Sequence, residues 1–140
     1  MSEVTEEDYS DYLIFKDGQL KIKAANAASN EIRTDGIIVG DLWGYISDVN
    51  DAAVKMYGAE DKSELVGKHV LEFLIPQERA RAVKESLDSI ASNRGMKHEF
   101  RVRSKTGAEV RLEITTTLVR NEQGENLGFL DVIRNPQHRS

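Results

Sequence analysis

Chemistry needs side chains that ligate, attack or carry protons, and in this chain such residues are sparse and scattered. Cysteine is absent, which removes disulfides, thiolate zinc sites, cysteine nucleophiles and iron–sulfur clusters together. His69 stands in "GKHVLEFL", just after a short helical stretch, and faces either solvent or a pocket; His98 precedes Phe100 on a strand and shares its face. A metal site needs convergent partners around such a histidine. These two supply none, so no metal is expected and His69 reads as a surface or hydrogen-bonded residue. Serine and aspartate are plentiful, yet there is no Gly-x-Ser-x-Gly elbow, no phosphate loop, no His-Glu-x-x-His, and no phosphoacceptor histidine followed by Glu and Pro. The expectation is a protein that is not an enzyme. Non-covalent binding remains: Gly40 and Thr116 fall mid-strand on apolar faces, where a glycine leaves room and a hydroxyl adds polarity that packing alone does not require.

The elements that must position these residues fit one domain. A chain of 140 residues is long enough for one real core and short for two. With 39% hydrophobic and 31% charged residues it reads as an ordinary globular protein. No apolar run of about 18 residues could cross a bilayer, and no basic-then-apolar leader opens the chain, so a cytoplasmic location is expected. The formal charge of −5 is uneven, since Glu3, Glu6, Glu7, Asp8 and Asp11 precede any base. Without them the body carries 19 acids and 19 bases, a balance with no basic footprint for nucleic acid.

Residues 1–18 combine this acidic tail with a short apolar run, Tyr12 to Phe15, that ends at Asp17-Gly18 as an added edge strand or the end of a linker. From Gln19 to Arg33, Leu20, Ala24, Ala25, Ala28 and Ile32 recur at helical spacing, which predicts an amphipathic helix flanking the domain over 19–34. "TDGIIVGDLWGYISDVN" is strand, turn, strand, with β-branched residues around Asp41-Leu42-Trp43-Gly44. Asn50 caps the helix "DAAVKMYG", Asp61 and Glu64 box "KSELVG", and Pro76 opens a longer helix whose stripe is Ala80, Val83, Leu87, Ile90 and Ala91. Three alternating strands follow, "KHEFRVRS", "EVRLEITTTLV" and Leu127 to Arg134, turned at "KTG" and "NEQGEN". The first and last strands are apolar on both faces, so both faces should be covered.

In order and spacing, "TDGIIVGDLWGYISDVNDAAVKMYG", "KSELVGKHVLEFLIPQERARAV" and "EFRVRSKTGAEVRLEITTTLVRNEQGENLGFLDVIRN" resemble a PAS domain over residues 35–136. The resemblance implies an α+β fold, a five-stranded antiparallel sheet in the order 2-1-5-4-3 with helices over one face around a small-molecule pocket. Signal would pass through the outer face and the flanking helix. The family's cysteine-linked flavin and coumarate photochemistry is excluded by the missing cysteine. The histidine of its haem sensors would fall at Ala82, counting from Pro76, so haem ligation of that kind is not expected and the cofactor stays unknown. Members wired to a downstream kinase or cyclase commonly end in Asp-Ile-Thr. Here Asn135-Pro136-Gln137 stands in that place, where Asn makes no ion pair and Pro136 turns Asn135 away from helix.

Strand parity and the family layout together place Ile38, Gly40, Val49, Ala53, Met56, Tyr57, Val70, Leu74, Phe100, Val102, Leu112, Ile114, Thr116, Leu130 and Val132 around the pocket. The same residues serve equally as plain core. Leu20, Ala24, Ala28 and Ile32 of the flanking helix, with Ile37, Val39, Leu127, Phe129 and Ile133, are expected on the outer face, an apolar surface suited to a homodimer. Asp131 is expected among them, with Arg111 or Arg120 as partner. The resulting expectation is a sensor that binds a small molecule and passes a signal to an effector or kinase; the alternative is a ligand-free scaffold. Trp43, at a hairpin tip far from the pocket by strand length, is expected to contact a partner, a neighbouring domain or the Tyr12 to Phe15 segment.

Overall fold

The computed structural model describes residues 13–23, 35–92 and 96–136. Five antiparallel strands form the main sheet: β3 (Gly36–Gly40), β4 (Ile46–Val49), β5 (Met96–Arg103), β6 (Glu109–Arg120) and β7 (Asn126–Arg134), in the order β4-β3-β7-β6-β5. This is the expected 2-1-5-4-3 order. Between β4 and β5 run helix α1 (Asp51–Met56), two single 3-10 turns (Lys62–Glu64 and Val70–Phe73) and helix α2 (Pro76–Ser92). Asn50 starts α1 as the sequence suggests, its Oδ1 accepting from the backbone N–H of Ala53 at 2.9 Å. The same oxygen accepts from Ile37 N–H at 2.9 Å, so one amide fixes the helix start to β3. The main core lies between the sheet and these helices, around Ile38, Ala53, Leu65, Val102, Leu112 and Ile133.

The outer face is covered differently from expectation. Leu13–Lys16 (β1) and Gln19–Ile22 (β2) form a hairpin, so the helix predicted from Gln19 does not exist over its first four residues. Asp17 and Gly18 make the two-residue turn with φ of 54° and 77°, the left-handed pair that matches strand twist. Beyond it, Leu20 and Ile22 alternate with Gln19 and Lys21 in the period of a strand. Leu20 is buried with Ile37, Val39, Val119 and Leu130. Ser47 Oγ donates to Leu20 O at 2.6 Å, and Asp48 Oδ2 accepts from Ile22 N–H at 2.8 Å, which locks the hairpin across β4. Ala24, Ala28 and Ile32 lie outside the described residues.

Strand β7 is inverted relative to the sequence expectation. Leu130 and Val132 pack on the outer face, while Phe129 and Ile133 face the helices with Asp131 between them. The reason is a bulge. Beside the turn Arg120 pairs with Asn126, but the register shifts by one between Val119 and Arg120, so Thr116 opposes Asp131 rather than Leu130. One residue of slip turns every later side chain to the other face.

Helix α2 is also rotated from its expected stripe. It turns Glu78, Ala82 and Ser89 inward and leaves Ala80, Val83, Leu87 and Ala91 exposed. Glu78 sets that rotation, since its carboxylate accepts from Arg101 N–H at 3.0 Å and from Arg81 Nη2 at 2.9 Å. Arg81 in turn donates to Glu99 O at 2.6 Å and lies 4.4 Å over the Phe100 ring.

Candidate ligand cavity

The bulge that inverts β7 also builds the site. It carries Asp131 to the inner face, where Thr116 Oγ1 donates to its Oδ1 at 2.7 Å. Among the described residues Thr116 is the sole hydrogen-bond partner of this carboxyl, which is only 5% exposed. Burial pushes the Asp131 carboxyl up to about 7, against the opposing effect of the Thr116 bond. Tyr57, buried nearby, has its hydroxyl raised in turn, first by burial and then by the charge of Asp131.

Above Asp131 lies a cavity of about 310 Å³. Its floor is Thr116, Leu118, Phe129 and Asp131; its walls are Val70 and Leu71 on one side and Val83, Ser86, Leu87 and Ser89 of α2 on the other; its mouth is the turn Asp41 to Gly44. A smaller chamber of about 60 Å³ shares Val70, Leu71, Ser86, Ser89, Thr116 and Asp131 and extends to Tyr57, Leu74, Ala82, Glu85, His98, Phe100 and Ile114. Within it, His98 Nδ1 lies 3.1 Å from Glu85 Oε1, and His98 Nε2 is buried with no hydrogen-bond partner among the described residues. Among the described residues no lysine or arginine lines either space.

The mouth is held rigidly. Asp41 Oδ1 accepts from the N–H groups of Trp43 and Tyr45 at 2.9 and 3.0 Å, a side-chain turn that leaves Gly44 at φ 100°. A Cβ on Gly44 would stand 2.6 Å from His69 Nε2. His69 Nδ1 accepts from Leu71 N–H at 3.1 Å, which places the ring proton on Nε2, and Nε2 donates to Trp43 O at 2.8 Å. One imidazole therefore caps the second 3-10 turn and fastens the Trp43 loop to it.

Of the residues expected around the pocket, Val70 and Thr116 line the larger cavity, and Tyr57, Leu74, Phe100 and Ile114 join them around the smaller one. Ile38, Val49, Ala53, Val102 and Leu112 are buried core that borders neither space, and Met56 packs against that core. Gly40 opens no room, because the space its side chain would take is filled by the Phe129 ring and the Tyr45 carbonyl. Leu130 and Val132 belong to the other face. Trp43 is corrected too: it lies at the cavity mouth, 74% exposed, beside exposed Leu42, Val83 and Leu87. Asp131, Ser86, Ser89 and Phe129 are site residues that sequence reasoning missed. The only signal for Asp131 was an acid in an otherwise apolar strand, and parity sent it outward.

A family model described as PAS fold matches residues 30–135. Among curated proteins nothing matches. Among solved structures, the PAS domain of a protein from Colwellia psychrerythraea superposes with a TM-score of 0.73 at 23% identity, over 82% of this chain and 97% of that one. The PAS domain of an HTR-like protein from Haloarcula marismortui gives 0.65 at 27% identity, over 80% and 89%. A domain of a sensory box sensor histidine kinase/response regulator from Geobacter sulfurreducens gives 0.61 at 24%, over 79% and 90%.

Proposed function

The chain belongs to the PAS family, and on that premise we propose that it is a sensor domain that takes a small molecule into the Thr116–Asp131 cavity and relays its occupancy to an effector. The observation that carries this reading is the cavity itself. Its volume of about 310 Å³ is at the low end of the roughly 300–1,000 Å³ typical of ligand sites, and it joins apolar walls to a few convergent polar groups. A core built only for packing would close over such a space. The apolar rim of Leu42, Trp43, Val83 and Leu87 gives an incoming molecule a surface to cross.

Relay requires two arrangements that the ligand distinguishes. Helix α2 forms one wall of the cavity and is fastened to β5 by Glu78, so occupancy is felt by the sheet. The outer face carries the β1–β2 hairpin, whose Ile14 and Phe15 are 42% and 45% exposed, and there a second copy or a kinase partner would read the change. No helix among the described residues is long and apolar enough to cross a membrane. The experiment is native mass spectrometry of the purified chain with a thermal-shift screen, run beside Ser89→Phe, which fills the cavity from α2. A retained or screened molecule that stabilises the chain and is lost in Ser89→Phe is expected. A chain that holds nothing, responds to nothing and is unaltered by the filling substitution would establish the assembly scaffold instead.

A further inference from the structure

Resting on the ligand-cavity reading, we propose that the molecule the cavity takes is a small apolar amine, held by its ammonium group against Asp131 and Thr116. Four features of the lining point one way. Asp131 is buried, borders both the larger cavity and the inner chamber, and spends only one oxygen on Thr116. Thr116 uses its proton on that bond, so its free lone pairs are acceptors. His98 directs Nδ1 to Glu85 and leaves Nε2 buried without a partner at the edge of the same space, an acceptor in the neutral ring. Among the described residues lysine and arginine are missing from the lining, so an anionic ligand would meet Asp131 with no described cation to balance either charge.

A primary ammonium supplies what this floor lacks: a positive charge and three N–H donors in a compact group. Val70, Leu71, Leu118 and Phe129 then hold an apolar body, and its far end lies toward Trp43. A neutral alcohol would satisfy one acceptor and leave the carboxyl uncompensated when ionised. Asp41 and His69 at the mouth, and Glu85, His98 and Tyr57 in the inner chamber, are the other titratable groups facing the site, and none of them is a fixed cation. The raised Asp131 carboxyl agrees with a cavity that awaits a positive partner.

Isothermal titration calorimetry on the full chain at pH 8 tests this with three probes of one shape: 2-phenylethylamine, 2-phenylethanol and 3-phenylpropanoate. The amine should bind, the alcohol should bind more weakly and the carboxylate not at all. In Asp131→Asn, checked for fold by circular dichroism, amine affinity should fall roughly ten- to hundredfold, the loss expected for a charge-assisted hydrogen bond, while the alcohol, relieved of an uncompensated carboxylate, should bind no more weakly than before. Amine binding should weaken from pH 8 to pH 5.5 in the parent and keep a flatter profile in the variant. If the alcohol or carboxylate binds as tightly as the amine, or the variant keeps full amine affinity, the amine assignment is overturned and the cavity reading stands. If no probe binds, the assignment also falls. The cavity reading falls with it only when the purified chain holds no molecule by native mass spectrometry.

Discussion

Asp131 is held in place by a single hydroxyl, so its charge state bears directly on stability. In the folded chain its carboxyl titrates at about 7, whereas an unfolded aspartate titrates at about 3.9. Between those values the folded state binds the extra proton, so stability is greatest below about pH 4 for this group. It is lost progressively as pH rises to about 7 and is constant above. Asp131→Asn keeps the shape and the Thr116 contact but removes the titration. In urea unfolding at several pH values, the variant should be the more stable protein at pH 8, by up to about 4 kcal/mol, and lose that advantage by pH 4. An unchanged pH slope would show that Asp131 is compensated when ionised. None of this was legible from strand parity, because a single-residue bulge is encoded in turn chemistry, whereas alternation reports only two equally apolar faces. Tyr57, Phe100 and Thr116 were legible, since each sits on an element with one plainly apolar face.

At the scale of elements, capping and turn residues told more than hydrophobic stripes. Asn50 and the Asp17-Gly18 pair act locally, and the structure uses them as local chemistry requires. The stripe of α2 misled because a helix beside a cavity is aimed by its polar anchors. Glu78 is the anchor: burial opposes its charge, but the Arg101 amide and the Arg81 guanidinium outweigh that and hold its carboxyl below the usual range. Its contribution is therefore present above the ordinary carboxylate value and is lost as pH falls below it. Glu78→Ala leaves the Arg101 N–H without its carboxylate acceptor and removes one of the three groups that hold Arg81, leaving Glu85 and Glu99 O, and should lower stability by about 1–3 kcal/mol at pH 7 in chemical denaturation. It should also loosen the cavity wall, which amide hydrogen exchange along α2 would detect. A helix with unchanged protection would place its docking in the apolar contacts alone. The flanking hairpin was legible only in its first half, as the edge-strand alternative for Tyr12 to Phe15; Gln19 to Ile22 read as helix because a four-residue strand is too short to outweigh the alanine-rich spacing that follows it.

For the whole molecule, the order of elements was legible because each hydrophobic run closes at a turn or cap, and the PAS topology follows from that order. Which faces stay available for partners was not, since it depends on what lies across the sheet. The outer face divides into a covered part and an exposed part, and the two should respond differently to substitution. Leu20 is 3% exposed over Ile37, Val39 and Leu130, so Leu20→Ala should cost about 2–5 kcal/mol of folding stability. Ile14 points away from the sheet, and Phe15, though it pairs with Leu20 and shares its face, is 45% exposed, so replacement of either by glutamate removes few internal contacts. If this hairpin is where two copies meet, the double substitution Ile14→Glu and Phe15→Glu should convert dimer to monomer in sedimentation equilibrium while moving the unfolding free energy of the monomer by less than about 1 kcal/mol. A dimer that survives both glutamates would move the interface elsewhere, and the exposed apolar rim of Leu42, Trp43 and Leu87 is then the surface to substitute next. That outcome would join the cavity mouth to the interface, so that ligand entry and association compete for the same side chains.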